Sequence, residues 1–465
     1  MTDSMGMSLQ ENRGIVTLPA MNSSPLLKFS FTLLVFFSSP FVRAGTEFEL
    51  PTVEEERGLP GLGSLRRYDG YVKRWPEFRE RWAQEVEKDQ GAVVFLGDSI
   101  TQGWGKEFKG LFPGMKLANR GIGGDTTRGM LIRLEEDVLA LNPSAVVILA
   151  GTNDLEVDIE PGDVASNFED IVQAIKAHDG KVPIVVCQVF PSTADKNRSS
   201  EDIMKVNELY SAAVKGDSQV TVLDTWTLFA AEDNDADPKW FKDMLHLNPE
   251  GYKRWAASLR PIFATLGFLE TEPDDFKIEE GFVSLFNGKD LTGWGFRATE
   301  PRKKPKKPRP NAPVFVEISE AEIFDGKSES SDGRYQVING RLVVTTPSEG
   351  RRIQQLWTTK EFPNDFVLKL EFRATPNADS GVFIRKPQLQ CRDYPLAGPY
   401  YGLKNYRPQD WNELVVTVTN GTAHATCNGE VLEEVMEVPE TGPIGLEGDR
   451  GQVEYRRIRL KASGL

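Results

Sequence analysis

Cysteine and histidine are scarce in this chain, with three of each among 465 residues. Cys187, Cys391 and Cys427 form no CxxC and no Cys/His cluster, so a structural zinc site is not expected. In an oxidising compartment one pair could close, and only Cys391 and Cys427 share a half of the chain; three buried free thiols are an equally good reading. Basic charge is also in deficit. Against 69 Asp and Glu stand 55 Lys and Arg, for a net charge of −14. Such a surface repels phosphate backbones and anionic bilayers, so nucleic acid is not an expected partner. Long apolar runs are missing too. The best candidate, Phe31 to Phe37, falls well short of the roughly 20 residues that cross a bilayer. Lys28 precedes it and Val42-Arg43-Ala44 follows before Gly45, the layout of a secretory signal. Met21 opens a segment of ordinary signal length, so it is the expected start. Residues 1–44 are then a leader and the protein is secreted or periplasmic. A buried N-terminal helix is the competing reading. No cysteine follows the run, so no stable membrane anchor is expected.

The chain as a whole is 39% hydrophobic and 27% charged, the balance of a soluble globular protein, and is long enough for two domains. Arg66 to Gln90 reads as an opening helical region. Beyond it the short apolar runs Ala92–Leu96, Ala145–Ala150, Ile184–Val189 and Val220–Leu223 suit strands buried on both faces. Between them lie helical spacings, Leu131, Leu134, Val138 and Leu141, then Val164, Phe168, Ile171 and Ile175 behind Pro161. This is βαβ alternation, which predicts a doubly wound parallel sheet over residues 45–268 with its site at the strands' carboxyl ends. The acidic stretch 269–280 reads as a linker. From 281 to 465 the period becomes two, as in Phe366, Leu368, Leu370 and Phe372. Asn420-Gly421 and Asn428-Gly429 predict a three-stranded meander, so this half is all-β. The basic, proline-rich stretch Pro301 to Pro313 reads as a solvated loop.

Four strand-end motifs carry chemistry. Gly97-Asp98-Ser99-Ile100 puts a serine on a strand-to-helix turn, although Asp-Ser there is also an ordinary helix cap. Asn119-Arg-Gly-Ile-Gly-Gly-Asp125 follows a short strand, Met115 to Ala118, and its glycines let an N–H approach a reacting atom. A dinucleotide fingerprint fails there, because Thr126 occupies the third glycine position. Gly151-Thr-Asn-Asp154 offers the Asn153 amide; its plain reading is a turn. Asp243-Met-Leu-His246 places a carboxylate three residues before an imidazole, so that one loop delivers a base and the group that fixes its tautomer. Neither His178 nor His424 has a carboxylate at that spacing. Nucleophile, base, orienter and oxyanion donors are all supplied, with no metal or organic cofactor required. Glu232 to Asp237 resembles a calcium loop, but Pro238 and Met244 replace its glycine and terminal glutamate.

These blocks, GDSI, NRGIGGDTT, GTND and DMLH, resemble the SGNH/GDSL hydrolase family over about residues 91 to 268. The resemblance implies a flavodoxin-like three-layer α/β/α domain and a serine esterase. It implies Ser99 as nucleophile, His246 as general base and Asp243 as its support, with Ser99, Gly124 and Asn153 as oxyanion donors. Gly-Asp-Ser-Ile-Thr is not GxSxG, which argues against a standard α/β-hydrolase.

Gly281 to Trp294, Asp379 to Arg385, Asp410-Trp-Asn412 and Gly442 to Leu446 resemble the 3-keto-disaccharide hydrolase family over about residues 281 to 461, implying a concanavalin-like β-sandwich. The chain departs from that family at Gln388-Leu-Gln390 and at Glu447-Gly-Asp-Arg450, which favours glycan binding over hydrolysis in this half. Tyr400, Tyr401 and Trp411 are candidate sugar-stacking residues, with core packing as the alternative. The expected substrate is an acylated carbohydrate or another small ester. Two alternatives are a glycan-binding surface protein with a slow or vestigial triad, and a lysophospholipase-type lipid esterase.

Overall fold

A computed structural model of the protein describes residues 48–269, 275–299, 312–347, 350–363 and 365–462. The leader expected at 1–44 and most of the proline-rich loop lie outside them. Five strands form the first sheet: β1 Val93–Gly97, β2 Leu117–Gly121, β3 Ala145–Leu149, β4 Ile184–Cys187 and β5 Val220–Leu223. All pair in parallel, in the order β2-β1-β3-β4-β5. This is the flavodoxin-like order, and its crossovers require helices on both faces. On one face Val94, Val146 and Val186 meet Phe168, Ile171 and Ile175 of the helix Pro161–His178 and Tyr210 of the helix Ser200–Ala213. On the other, Phe95, Val147 and Val185 meet Trp104 and the helix Pro249–Thr265, where Trp104 stacks on Trp255 at 4.5 Å. Strands covered on both sides must be apolar throughout, which is why β1 and β3 are buried at every residue.

The helical spacing from Leu131 to Leu141 does not produce one helix. The segment breaks into Thr127–Ile132, Leu134–Asp137 and a 3₁₀ turn at Leu139–Leu141. Leu134, Val138 and Leu141 still face the core. The break falls at Arg133, whose backbone leaves the helical region at φ −97°, ψ 4°. Its fully buried guanidinium binds the Asp125 carboxylate at 2.7 Å and the Arg120 carbonyl at 2.8 Å, with the Gly97 carbonyl at 3.2 Å and Asp137 at 3.5 Å. A buried cation needs all its donors met, and that demand outranks helical continuity here.

The second half is all-β. Its larger sheet runs Tyr335–Ile338, Arg341–Val344, Val453–Ala462, Phe366–Ala374, Asn412–Thr419, Thr422–Cys427, Glu430–Glu437, every neighbouring pair antiparallel. The last three strands are the meander that the two Asn-Gly turns predict. Along Phe366–Ala374 burial alternates residue by residue, so Leu368 and Leu370 enter the core. The opposing sheet supplies Leu356, Val382, Ile384 and Leu446 to the same cluster, which makes the architecture a sandwich. Cys391 and Cys427 do not pair; all three cysteines are buried free thiols. At the end of the expected linker Glu279 is bound by Arg459, at 2.5 and 2.7 Å. The halves also touch directly: Gln452 Nε2 donates to the Pro261 carbonyl at 3.1 Å and Asn377 Nδ2 to Asp224 at 2.7 Å.

Replacing Arg133 with Met strands Asp125 without its cation, while Asp137 keeps Arg79 at 3.1 Å. Loss of one partner of a buried pair costs about 3–5 kcal/mol, so R133M is expected to lower the unfolding free energy by that amount in a urea titration.

Candidate active site

Ser99 opens a one-turn helix, Ser99–Gln102, directly beyond β1. The chain turns this sharply because Gly97 has no Cβ: one placed there would lie 2.1 Å from Thr101 Oγ1 and 2.7 Å from the Leu149 carbonyl. Asp98 is fully buried and accepts the Ile100 amide at 2.8 Å, while its other oxygen has no partner among the described residues. Burial pushes its carboxyl up to about 7, against the Ile100 bond and the Arg198 charge.

His246 Nε2 stands 2.9 Å from Ser99 Oγ, and His246 Nδ1 stands 2.8 Å from Asp243 Oδ2. The Asp243 loop is held by its own geometry. Met244 is left-handed at φ 62°, which lets Asp243 Oδ1 accept the His246 amide at 2.7 Å and the Leu245 amide at 3.2 Å. Burial raises the Asp243 pKa, but these amide bonds and the His246 ring outweigh it and hold the carboxyl below its usual range. Ser99, His246, Gly124 and Asn153 all line one cavity of about 500 Å³. Gly124 is left-handed at φ 91°, and a Cβ there would strike Tyr68 Oη at 2.3 Å, so only glycine fits.

Asn153 is oriented from both ends. Its Nδ2 donates to the Asp125 carbonyl at 2.9 Å, and its Oδ1 accepts from Arg66 and Arg198 at 3.1 Å each. The amide's second N–H is the one available to the cavity. Asp154 secures the same corner by accepting the Thr127 amide and hydroxyl, and burial raises its carboxyl to about 6. Three groups that motif reading missed hold the site together. Arg133 ties the ends of β1 and β2, Tyr71 Oη donates to Asp125 at 2.7 Å, and Gln102 Oε1 accepts the Gly123 amide at 2.7 Å. None has a distinctive spacing in sequence, so no local signal marks them.

The three aromatic candidates of the second half do not make one platform. Tyr401 is 75% exposed, Tyr400 packs edge-on against Tyr394, and the Trp411 ring is covered by the guanidinium groups of Arg373 and Arg456 at 4.8 and 4.1 Å. The two departures from the family pattern meet in space, where Gln388 Nε2 donates to the Glu447 carboxylate. Burial raises that carboxyl to about 7. Among the described residues no group of side chains forms a metal-binding cluster.

Residues 95–254 match the GDSL-like Lipase/Acylhydrolase family, and residues 281–461 match the 3-keto-alpha-glucoside-1,2-lyase-like domain. Platelet-activating factor acetylhydrolase IB subunit alpha2 of Homo sapiens is 31% identical over 205 residues, 43% of this chain and 88% of that protein. Subunit alpha1 of Bos taurus is 30% identical over 196 residues, 42% of this chain and 84% of that one. Among solved structures, a GDSL-like lipase from Bacteroides thetaiotaomicron is 26% identical and covers 40% of this chain and 96% of its own, with a TM-score of 0.36. A lipase/acylhydrolase from Enterococcus faecalis is 21% identical, covers 40% and 100%, and has a TM-score of 0.33. The matches and the parallel sheet together define a hydrolase acting on ester bonds. The chain belongs to the GDSL-like lipase/acylhydrolase family, with a 3-keto-alpha-glucoside-1,2-lyase-like domain following.

Because the folded state raises the Asp98 pKa, it holds that proton more tightly than the unfolded chain. The associated stability is complete below about pH 4 and disappears as pH rises through about 7. Asp98→Asn is expected to remove a decline on the order of 2–4 kcal/mol across that window, read as the difference between wild-type and variant denaturation curves.

Proposed function

We propose that the protein is an exported serine esterase that removes acetyl or similarly short acyl groups from carbohydrate, with Ser99, His246 and Asp243 as its triad. The observation that carries this reading is the unbroken hydrogen-bonded line from Ser99 Oγ through both ring nitrogens of His246 to Asp243. His246 takes the serine proton as Oγ attacks the acyl carbonyl, and Asp243 fixes the tautomer and offsets the charge that forms on the ring. The tetrahedral oxyanion is met by the amides of Ser99 and Gly124 and the free N–H of Asn153, whose side chain is held by Arg66, Arg198 and the Asp125 carbonyl. The alcohol leaves with the proton from His246, and water then hydrolyses the acyl-enzyme along the same path. No step calls on a metal or organic cofactor.

A short acyl group suits a cavity lined chiefly by polar and charged residues and glycines, with Leu245 its one aliphatic side chain. The relatives named as acetylhydrolases point the same way. With so few aliphatic side chains to bury an acyl tail, a long-chain lipid esterase is the weaker reading. The carbohydrate part of the reading rests on the second half, matched to a 3-keto-alpha-glucoside-1,2-lyase-like domain, which we assign to glycan binding with Tyr401 as its most accessible aromatic. Export rests on the leader pattern ending at Ala44.

Ser99→Ala is expected to reduce p-nitrophenyl acetate hydrolysis by roughly 10⁴- to 10⁶-fold, and Asp243→Asn by roughly 10⁴-fold, with folding intact. Asn153→Ala removes one oxyanion donor and is expected to cost about 10²- to 10³-fold in kcat. Retention of wild-type rates by the serine variant would overturn the triad. N-terminal sequencing of the protein recovered outside the cytoplasm is expected to begin at Gly45, and an intact leader on that material would overturn export.

A further inference from the structure

The sign of the charge around Ser99 is opposite to that of the chain. The protein carries −14 overall, yet its catalytic cavity is walled by Arg66, Arg74, Arg198 and Lys242 against the single carboxylate of Glu156. Two of these cations are committed. Arg66 and Arg198 both bind Glu156, at 2.5 and 2.7 Å, and both hold Asn153. The other two have no carboxylate partner among the described residues. Arg74 Nη2 donates to Tyr68 Oη at 2.7 Å, and the ring of that tyrosine lies 5.6 Å from the guanidinium carbon. Arg74 Nε is buried and has no acceptor among the described residues. A side-chain carbon built on Gly123 would sit 3.4 Å from that nitrogen and 3.6 Å from Ser99 Cβ, so cation and nucleophile flank one bare glycine. Lys242, exposed and four residues before His246, also lines the cavity.

A buried N–H without an acceptor is costly unless a ligand supplies one. An unpaired guanidinium beside an acyl site does so best with a planar or tetrahedral oxyanion. The acidic surface gives such a ligand no long-range attraction, so recognition has to be local, inside the cavity.

We propose that the ester accepted here is an acylated acidic saccharide, whose carboxylate, sulfate or phosphate lies against Arg74 and Lys242 while its acyl carbonyl faces Ser99. This rests on the esterase reading above and adds the charge of the substrate to it. The anion is bound by the ground state and the transition state alike, so the preference appears mainly in KM.

The test compares four esters on one scaffold with the full-length protein: methyl O-acetyl-glucopyranoside, its uronate, its primary sulfate and its primary phosphate. The expected result is a kcat/KM at least about tenfold higher for one or more of the charged esters than for the neutral one at low ionic strength. That ratio should shrink as salt screens the pair, and the best of the three charged arms names the anion. In Arg74→Gln and in Lys242→Gln the ratio is expected to fall toward one. Should either variant fail to fold, the wild type decides alone. Methyl glucuronoside, or the matching sulfate or phosphate, should compete with p-nitrophenyl acetate at fixed ionic strength where methyl glucoside does not. Turnover of p-nitrophenyl acetate without any charge preference, or equal competition by charged and neutral sugars, overturns this inference and leaves the esterase standing. A folded wild type that hydrolyses no ester overturns the esterase reading and this inference with it.

Discussion

The contact on which the rest of the site depends is the buried pair between Arg133 and Asp125. One guanidinium reaches carbonyls at the ends of β1 and β2, and the carboxylate it binds sits in the glycine loop between Gly124 and Thr126. Asp125 in turn accepts from Tyr71 with its side chain and from Asn153 with its carbonyl. The Ser99 turn, the glycine loop and Asn153 thus share one anchor built of buried side chains. Taking a carboxylate and a guanidinium out of water is expensive, and the pair persists only because nearly every donor and acceptor is met. The broken helix at Arg133 is the local consequence.

The site shows a division of labour among buried and exposed charge. Behind Ser99 the buried carboxyls of Asp98 and Asp154 are pushed toward their neutral forms by burial, while Asp243, nearer solvent, is held ionised by amide bonds. Only the last faces an imidazole. The same chemical group therefore serves as scaffold in one place and as an electrostatic partner in another, according to how much water it keeps.

Much of this was legible beforehand. Apolar β-branched runs such as Val146 to Ile148 admit few environments other than a doubly covered strand, and Asn-Gly at 420 and 428 leaves little choice but a tight turn. The four motifs near Ser99, Gly124, Asn153 and His246 were legible because glycines and a short Asp-to-His spacing are local constraints. Arg133, Tyr71, Arg74 and the pairing of Gln388 with Glu447 were not. An arginine in sequence looks the same whether it faces solvent or anchors two strands, and its partners lie far along the chain or on other elements. The continuous helix implied by Leu131 to Leu141 failed for that reason: periodicity reports which side chains are apolar, and the polar residue that breaks the helix answers to a carboxylate in the glycine loop and to carbonyls at two strand ends.

The linear order of residues by itself determined the two-part architecture, the strand and turn positions and the identity of the groups gathered at Ser99, since each follows from patterns spanning a few residues. Tertiary structure alone decided which charges are paired and which are left facing the cavity. Pairing depends on distance and burial between segments more than 50 residues apart, as between Tyr71 and Asp125, and Coulomb energy at such contacts is set by the surrounding dielectric rather than by sequence.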